Sequence, residues 1–225
     1  MHDLKKLDNP VWHSLNETHA GFAITYNNLL CYRPDVCPFG GYIGDNNIAN
    51  GIDEYAKLGG DFFVVGEKPL FPTNVELQFE LVCVQMVIDH PIDLAITEDI
   101  VPLKNGHEDE LYKLVHMVMP DYYKVNTHLT GDYYGIFKDG ILIAAAGERM
   151  KMDGFTEVSA VVTHPNYTGK GYAKQLSAYV SNSIFNQGKT PFLHTGETNP
   201  ISIPLYQKLG FTIRRKISFW NFNAK

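Results

Sequence analysis

The stretch that could do chemistry most directly runs from Val161 to Ala173 and contains His164, Pro165, Thr168, Gly169, Lys170, Gly171 and Tyr172. Glycines at 169 and 171 let the main chain approach a ligand with no Cβ in the way. A helix is predicted to start here, and first-turn amides have no carbonyl partner within their own helix. Those donors, with the positive end of the helix dipole, suit phosphate oxygens. Two familiar phosphate loops are excluded by spacing. A Walker A loop needs glycine where His164 stands and Ser or Thr where Gly171 stands. The dinucleotide fingerprint needs glycine at Lys174 and a parallel βαβ unit, whereas a hairpin precedes this loop.

The elements that must position this loop are legible around it. Leu111, Leu114, Val115 and Val118 fall on one face of a predicted helix over 108–119. Two apolar runs, 133–137 and 141–146, flank Asp139-Gly140, a strong hairpin signal. A strand over 157–163 leads into the loop. The helix after it carries Ala173, Leu176, Val180 and Ile184 on one face and stops at Gly188. A strand at 191–195, a short helix at 201–209 ended by Gly210, and a strand at 211–219 complete the order. That order defines a mixed α/β domain.

Upstream, helices are predicted over 11–18 and 46–58 and strands over 62–65 and 79–88, with residues 19–45 read as turn-rich. Residues 90–106, with Pro91, Pro102 and Asn105-Gly106, read as a linker. The division is therefore a small α/β N-terminal domain over 1–100, for which a degenerate copy of the same half is one option, and a ligand-binding domain over 101–225.

Thr168-Gly169-Lys170-Gly171-Tyr172-Ala173 fits the pattern Arg/Gln-x-x-Gly-x-Gly/Ala, and Asn199 followed by Leu205-Tyr206 and Lys208 through Gly210-Phe211 fits a second signature. In this order the two resemble the GNAT superfamily of N-acetyltransferases, over roughly residues 107 to 220. The segments at Glu157 and at Thr190–His194 look most like the C-terminal half of glycine N-acyltransferases. The resemblance implies a GNAT-like fold with a mostly antiparallel central sheet flanked by helices. It implies acetyl-CoA as co-substrate, with the main chain of Val161, Val162 and Thr163 facing the pantetheine and residues 168–173 wrapping the diphosphate. Thr168 replaces the usual Arg or Gln, leaving Lys170 or the Thr168 hydroxyl to substitute. Pro204 implies a helix that starts late.

The roles follow. Asn199 stands where an N-cap is favoured, and the resemblance also places it near the pantetheine. It makes Tyr206 the general acid. A phenol of pKa about 10 can protonate a departing thiolate. An amine must lose a proton before attack, and Glu157, directly or through water, is the preferred base, with Glu148 next. His164 is read as shaping the loop and His194 as lining the pocket. The expected function is N-acyl transfer to a small-molecule or protein amine. An acyl-CoA-binding sensor without turnover is the alternative.

Bulk properties bound this reading. The 225 residues carry a net charge of -6, which disfavours nucleic acid and anionic membranes as partners. No apolar run approaches the roughly 20 residues that span a bilayer, and Met1–Pro10 lacks a signal-peptide core. Cys31, Cys37 and Cys83 are odd in number and irregularly spaced, which fits a reducing, cytoplasmic compartment. With neither Cys-x-x-Cys nor His-Glu-x-x-His present, no metal is expected.

Overall fold

In the computed structural model, which describes residues 3–104 and 106–225, the Asn9 side chain accepts the Trp12 N–H and Pro10 occupies the first turn of α1 (Pro10–Asn16). Both are favoured helix-start devices. Residues 19–45, read as turn-rich, instead contain three short strands: β1 (Ala23–Tyr26), β2 (Leu29–Tyr32) and β3 (Phe39–Tyr42). β2 and β3 are buried at every position, so they show none of the alternation that marks a half-buried strand. Helix α2 (Ala49–Ala56) follows, then β4 (Phe62–Val65), which runs parallel to β3. The long β5 (Val75–Val87) ends the N-terminal part.

The predicted linker is largely irregular, with a two-residue strand β6 (Val101–Pro102). Of its residues Asn105 lies outside those described, as do Met1 and His2. Helix α3 (Glu108–Val118) has Glu108, Asp109 and Glu110 in its first turn, where the dipole favours negative charge. β7 (Tyr133–Lys138) and β8 (Ile141–Met152) form the predicted hairpin. Asp139 and Gly140 at its tip have φ of 52° and 76°, the two left-handed conformations of a type I′ turn. β9 (Phe155–Thr163), α4 (Tyr172–Asn186), β10 (Thr190–Gly196), α5 (Ser202–Lys208) and β11 (Thr212–Ala224) complete the chain.

The strands form one eleven-stranded sheet in the order β1-β2-β3-β4-β11-β5-β10-β9-β8-β7-β6. Only β3–β4 and β9–β10 are parallel, each pair bridged by a helix. The order contains an exchange. The last strand, β11, lies between β4 and β5, while β5 of the N-terminal part pairs with β10 of the C-terminal part. α4 packs on β8, β9 and β10. Its Leu176, Val180 and Ile184 join Ile143, Leu193, Tyr206 and Phe211 in one core. The other large core lies under α1, where Val11 and Leu15 meet Phe39, Phe155, Phe192 and Phe219.

Candidate active site

The glycine loop takes the form its spacing implied. Gly169 and Gly171 have φ of 77° and 82°, and a Cβ added at either would meet nothing within 4 Å. Gly171 is the N-cap of α4 and has no side chain to satisfy the first-turn amides. Loop residues 168–171 are exposed. The Thr168 hydroxyl is turned back to the Pro165 carbonyl at 3.3 Å. The Lys170 ammonium lies 5.3 Å from the centre of the Tyr167 ring, beside the loop. His164 accepts the Asn166 N–H at Nδ1, 3.2 Å away, and so shapes the turn into the loop.

Upstream, β9 and β10 pair only from Phe155 to Glu157 on β9. From Val158 to Thr163, β9 has no strand neighbour on that edge, and Val158 to Val161 line a cleft there. On the other edge β9 carries a bulge. Ser159 and Val162 oppose Gly147 and Ala145, so three steps on β9 match two on β8. Ala160 takes up the extra residue with φ of 50°, a left-handed conformation rare outside glycine. Such strain persists where the surroundings over-determine it, often at functional sites.

α5 closes the cleft from the other side. It starts at Ser202, which puts Pro204 in the first turn, where its missing N–H is no loss. The Asn199 side-chain oxygen accepts the N–H groups of Ile201 and Ser202 at 3.1 and 3.0 Å. Tyr206 is 8% exposed. Burial pushes its phenol above the ordinary value, opposed by the Ser177 hydroxyl beside it on α4. Among the described residues that hydroxyl is buried and lies beyond ordinary hydrogen-bond distance of any partner, so it acts on the phenol at longer range.

The two carboxylates singled out in the sequence are both inside the protein. Glu148 is 0% exposed and accepts from Lys151 at 2.6 Å and from Gln187 at 3.0 Å. Glu157 is 1% exposed. Arg149 donates to it through Nε at 2.8 Å and a terminal nitrogen at 3.0 Å, and His194 Nδ1 lies 2.8 Å from Oε1. Burial alone would raise the Glu157 pKa; the Arg149 charge and the His194 hydrogen bond outweigh it and hold the group down at about 2. Arg149 was missed in the sequence. The signal was a pair of adjacent charges, Glu148 and Arg149, in the otherwise apolar run of β8, whose positions 142–150 are all buried.

Arg149, His194, Asn199 and Tyr206 line a cavity of about 300 Å³. One end is the β9–β10 cleft, with Ser159, Ala160 and Val161 facing Thr195, Asn199 and Tyr206. The other end is walled by Phe39, Leu81, Met119, Tyr122 and Phe219, with Arg149 and His194 at its base. The Arg149 guanidinium sits 4.7 Å from the centre of the Phe39 ring. The cavity thus joins Tyr206, Asn199 and the edge of β9, reaches His194, and leaves Glu157 behind Arg149 and Glu148 elsewhere. Among the described residues no group of side chains has the make-up of a metal site. No described helix is long and apolar enough to cross a membrane.

The comparisons with known proteins agree with this geometry. Residues 133–220 match the family model described as FR47-like protein. A solved structure from Novosphingobium aromaticivorans DSM 12444, described as an acetyltransferase of the GNAT family, is 30% identical over 97% of this chain and 98% of its own, with a TM-score of 0.86. A GCN5-related N-acetyltransferase-like protein from Streptococcus suis 89/1591 is 15% identical over 99% and 97% of the two chains, with a TM-score of 0.68. A GCN5-related N-acetyltransferase from Kribbella flavida is also 15% identical, over 90% and 88%, with a TM-score of 0.60. These last two share the fold. No curated protein matches the chain. The chain belongs to the GNAT family of acyl-CoA-dependent N-acetyltransferases, the class that the glycine loop and the Leu205–Phe211 signature implied.

Proposed function

We propose that this protein transfers the acetyl group of acetyl-CoA to an amine by direct attack, with Tyr206 as general acid and water as the proton acceptor. The observation that carries the proposal is the single cavity joining the open edge of β9 to Tyr206. Amides of the Gly169–Ala173 turn hold the diphosphate, and the edge of β9 at Val161, Val162 and Thr163 aligns the pantetheine. Main-chain donors at the Ala160 bulge support the negative oxygen that forms on the thioester carbonyl. Tyr206 then gives its proton to the departing sulfur. Its raised pKa keeps it protonated at working pH, and the Ser177 hydroxyl, which opposes that rise, favours the phenolate left behind.

The base follows from what each candidate already holds. Both Glu157 oxygens are engaged by Arg149 and His194, and a group held down at about pKa 2 is a weak proton acceptor near neutrality. Glu157 therefore acts by holding Arg149 and His194 in place. Residues 1–100 supply the acceptor side through Phe39 and Leu81. The three cysteines are buried, and burial pushes their thiols up, which favours a role as inert core residues in a reducing, cytoplasmic setting.

The test is calorimetry with free coenzyme A, followed by thiol release from acetyl-CoA across a panel of amines. Binding with turnover on at least one amine is expected. Binding with no turnover on any would favour a sensor, and no binding would remove the basis of the reading.

A further inference from the structure

The acceptor end of the cavity has a chemistry of its own. Phe39 and Phe219 are buried and Leu81, Met119 and Tyr122 are half-buried, giving walls of aromatic rings, aliphatic carbon and thioether. None of the residues lining the cavity is Asp or Glu. Of the carboxylates around the wall, Glu157 is committed to Arg149 and His194, Glu197 pairs with Lys216, and Asp121 beside Tyr122 faces solvent. The charge presented is therefore the outer side of a guanidinium already paired, and it repels a second cation. A cation placed there would lose its water with no counter-ion gained, which is costly. Desolvation also favours the neutral form of a basic amine. The cavity volume of about 300 Å³ must in addition admit the thioester end of the donor, which leaves room for only a small acceptor group.

We infer that the acceptor is a small primary amine with an apolar or aromatic body, taken as the free base, and that polycations such as polyamines and aminoglycosides are excluded. This rests on the acyl-transfer reading above and narrows its acceptor. The experiment compares 2-phenylethylamine with spermidine and kanamycin as acceptors, using thiol release from acetyl-CoA by the full chain, beside calorimetry with coenzyme A. The expected kcat/KM for 2-phenylethylamine exceeds that for either polycation by at least about 100-fold, the scale of one uncompensated buried charge. Leu81→Asp places a carboxylate on the wall and shifts the preference toward spermidine. Met119→Glu does the same from the cover of the cavity, should the first variant fold poorly. Equal or better turnover of spermidine or kanamycin by the wild-type chain overturns the acceptor assignment and leaves acyl transfer standing. Coenzyme A binding with no turnover of any of the three, or of a wider amine panel, overturns the acyl-transfer reading and this inference with it.

Discussion

The Gln85 side-chain nitrogen lies 3.0 Å from Nε2 of His194, and the amide's orientation is set by groups on its far side. Its oxygen accepts from Arg214 at 2.9 Å, and the same nitrogen donates to the Leu7 carbonyl at 2.8 Å. An amide so oriented presents only N–H to His194, so Nε2 must be the unprotonated acceptor. Nδ1 then carries the hydrogen and donates to Glu157. The chain Arg214, Gln85, His194, Glu157, Arg149 crosses five adjacent strands of the sheet. In it both ring nitrogens of His194 are engaged, Nε2 by Gln85 and Nδ1 by Glu157. Nitrogen NMR of His194 should therefore show the Nδ1–H tautomer. Gln85→Leu should strand the Leu7 carbonyl and remove one acceptor from Arg214, which keeps its pairing with Asp8, costing about 1–3 kcal/mol in urea unfolding. An Nε2–H tautomer in the wild type would contradict this account.

Glu157→Gln should destabilise the fold by about 3–5 kcal/mol, because the Arg149 charge would remain buried without its counter-ion. The pH dependence has a definite sign. The folded pKa of about 2 lies below the ordinary 4.5, so the unfolded chain binds more protons between these values. The pair's contribution is fully present above pH 4.5 and is lost as pH falls toward 2. Urea unfolding across that window should show a steeper loss of stability for wild type than for Glu157→Gln. Parallel curves would mean that the carboxylate is not held down.

Much of the C-terminal part was legible because its signals are local. Asp139-Gly140 dictates its own turn, Gly188 and Gly210 end their helices at positive φ, and the face of α4 shows in its spacing. The N-terminal strands were not legible, since Leu29–Tyr32 and Phe39–Tyr42 are buried by partners distant in the chain. The same holds for the site. The glycine loop and Tyr206 sit in short motifs, whereas Arg149 meets Phe39, and Gln85 meets His194, only after β5 and β11 exchange places in the sheet. The left-handed Ala160 carries no signal in its residue type, because the bulge is imposed by register across two strands.

Gly171→Ala separates a ligand role from a backbone one. At φ of 82° an added Cβ is strained although nothing blocks it locally. The strain costs roughly 1 kcal/mol of stability. Gly188, at φ of 72° and equally open, should lose a similar amount on the same change. Only the Gly171 variant should lose coenzyme A affinity, by about tenfold or more, because its Cβ would project where main-chain amides meet the diphosphate. Calorimetry on both variants checks this. Equal coenzyme A affinity in the two would remove the loop from the binding site.

Tyr206→Phe should leave coenzyme A affinity nearly unchanged and lower turnover by about 100-fold or more, the lower end of general acid contributions. Ser177→Ala should lower turnover less and only while Tyr206 is present, because its hydroxyl acts on the phenolate. Transient kinetics on the two single variants and the double variant tests this. A Ser177→Ala loss that persists in the Tyr206→Phe background would point to packing under α5 instead.

The pH profile distinguishes a protein base from an amine that arrives already neutral. Because the lining offers no Asp or Glu, and Gln85 occupies the lone pair of His194, the fraction of free-base acceptor sets the rate at low substrate. Below the amine's own pKa, kcat/KM should then rise roughly tenfold per pH unit, since the free-base fraction does. The inflection should belong to the substrate. Replacing 2-phenylethylamine with its β,β-difluoro analogue, which is less basic, should move the inflection to lower pH by the difference between the two amine pKa values. A base on the protein would keep it at one pH for both amines. An inflection that does not move between these two substrates would therefore require a titrating group on the chain.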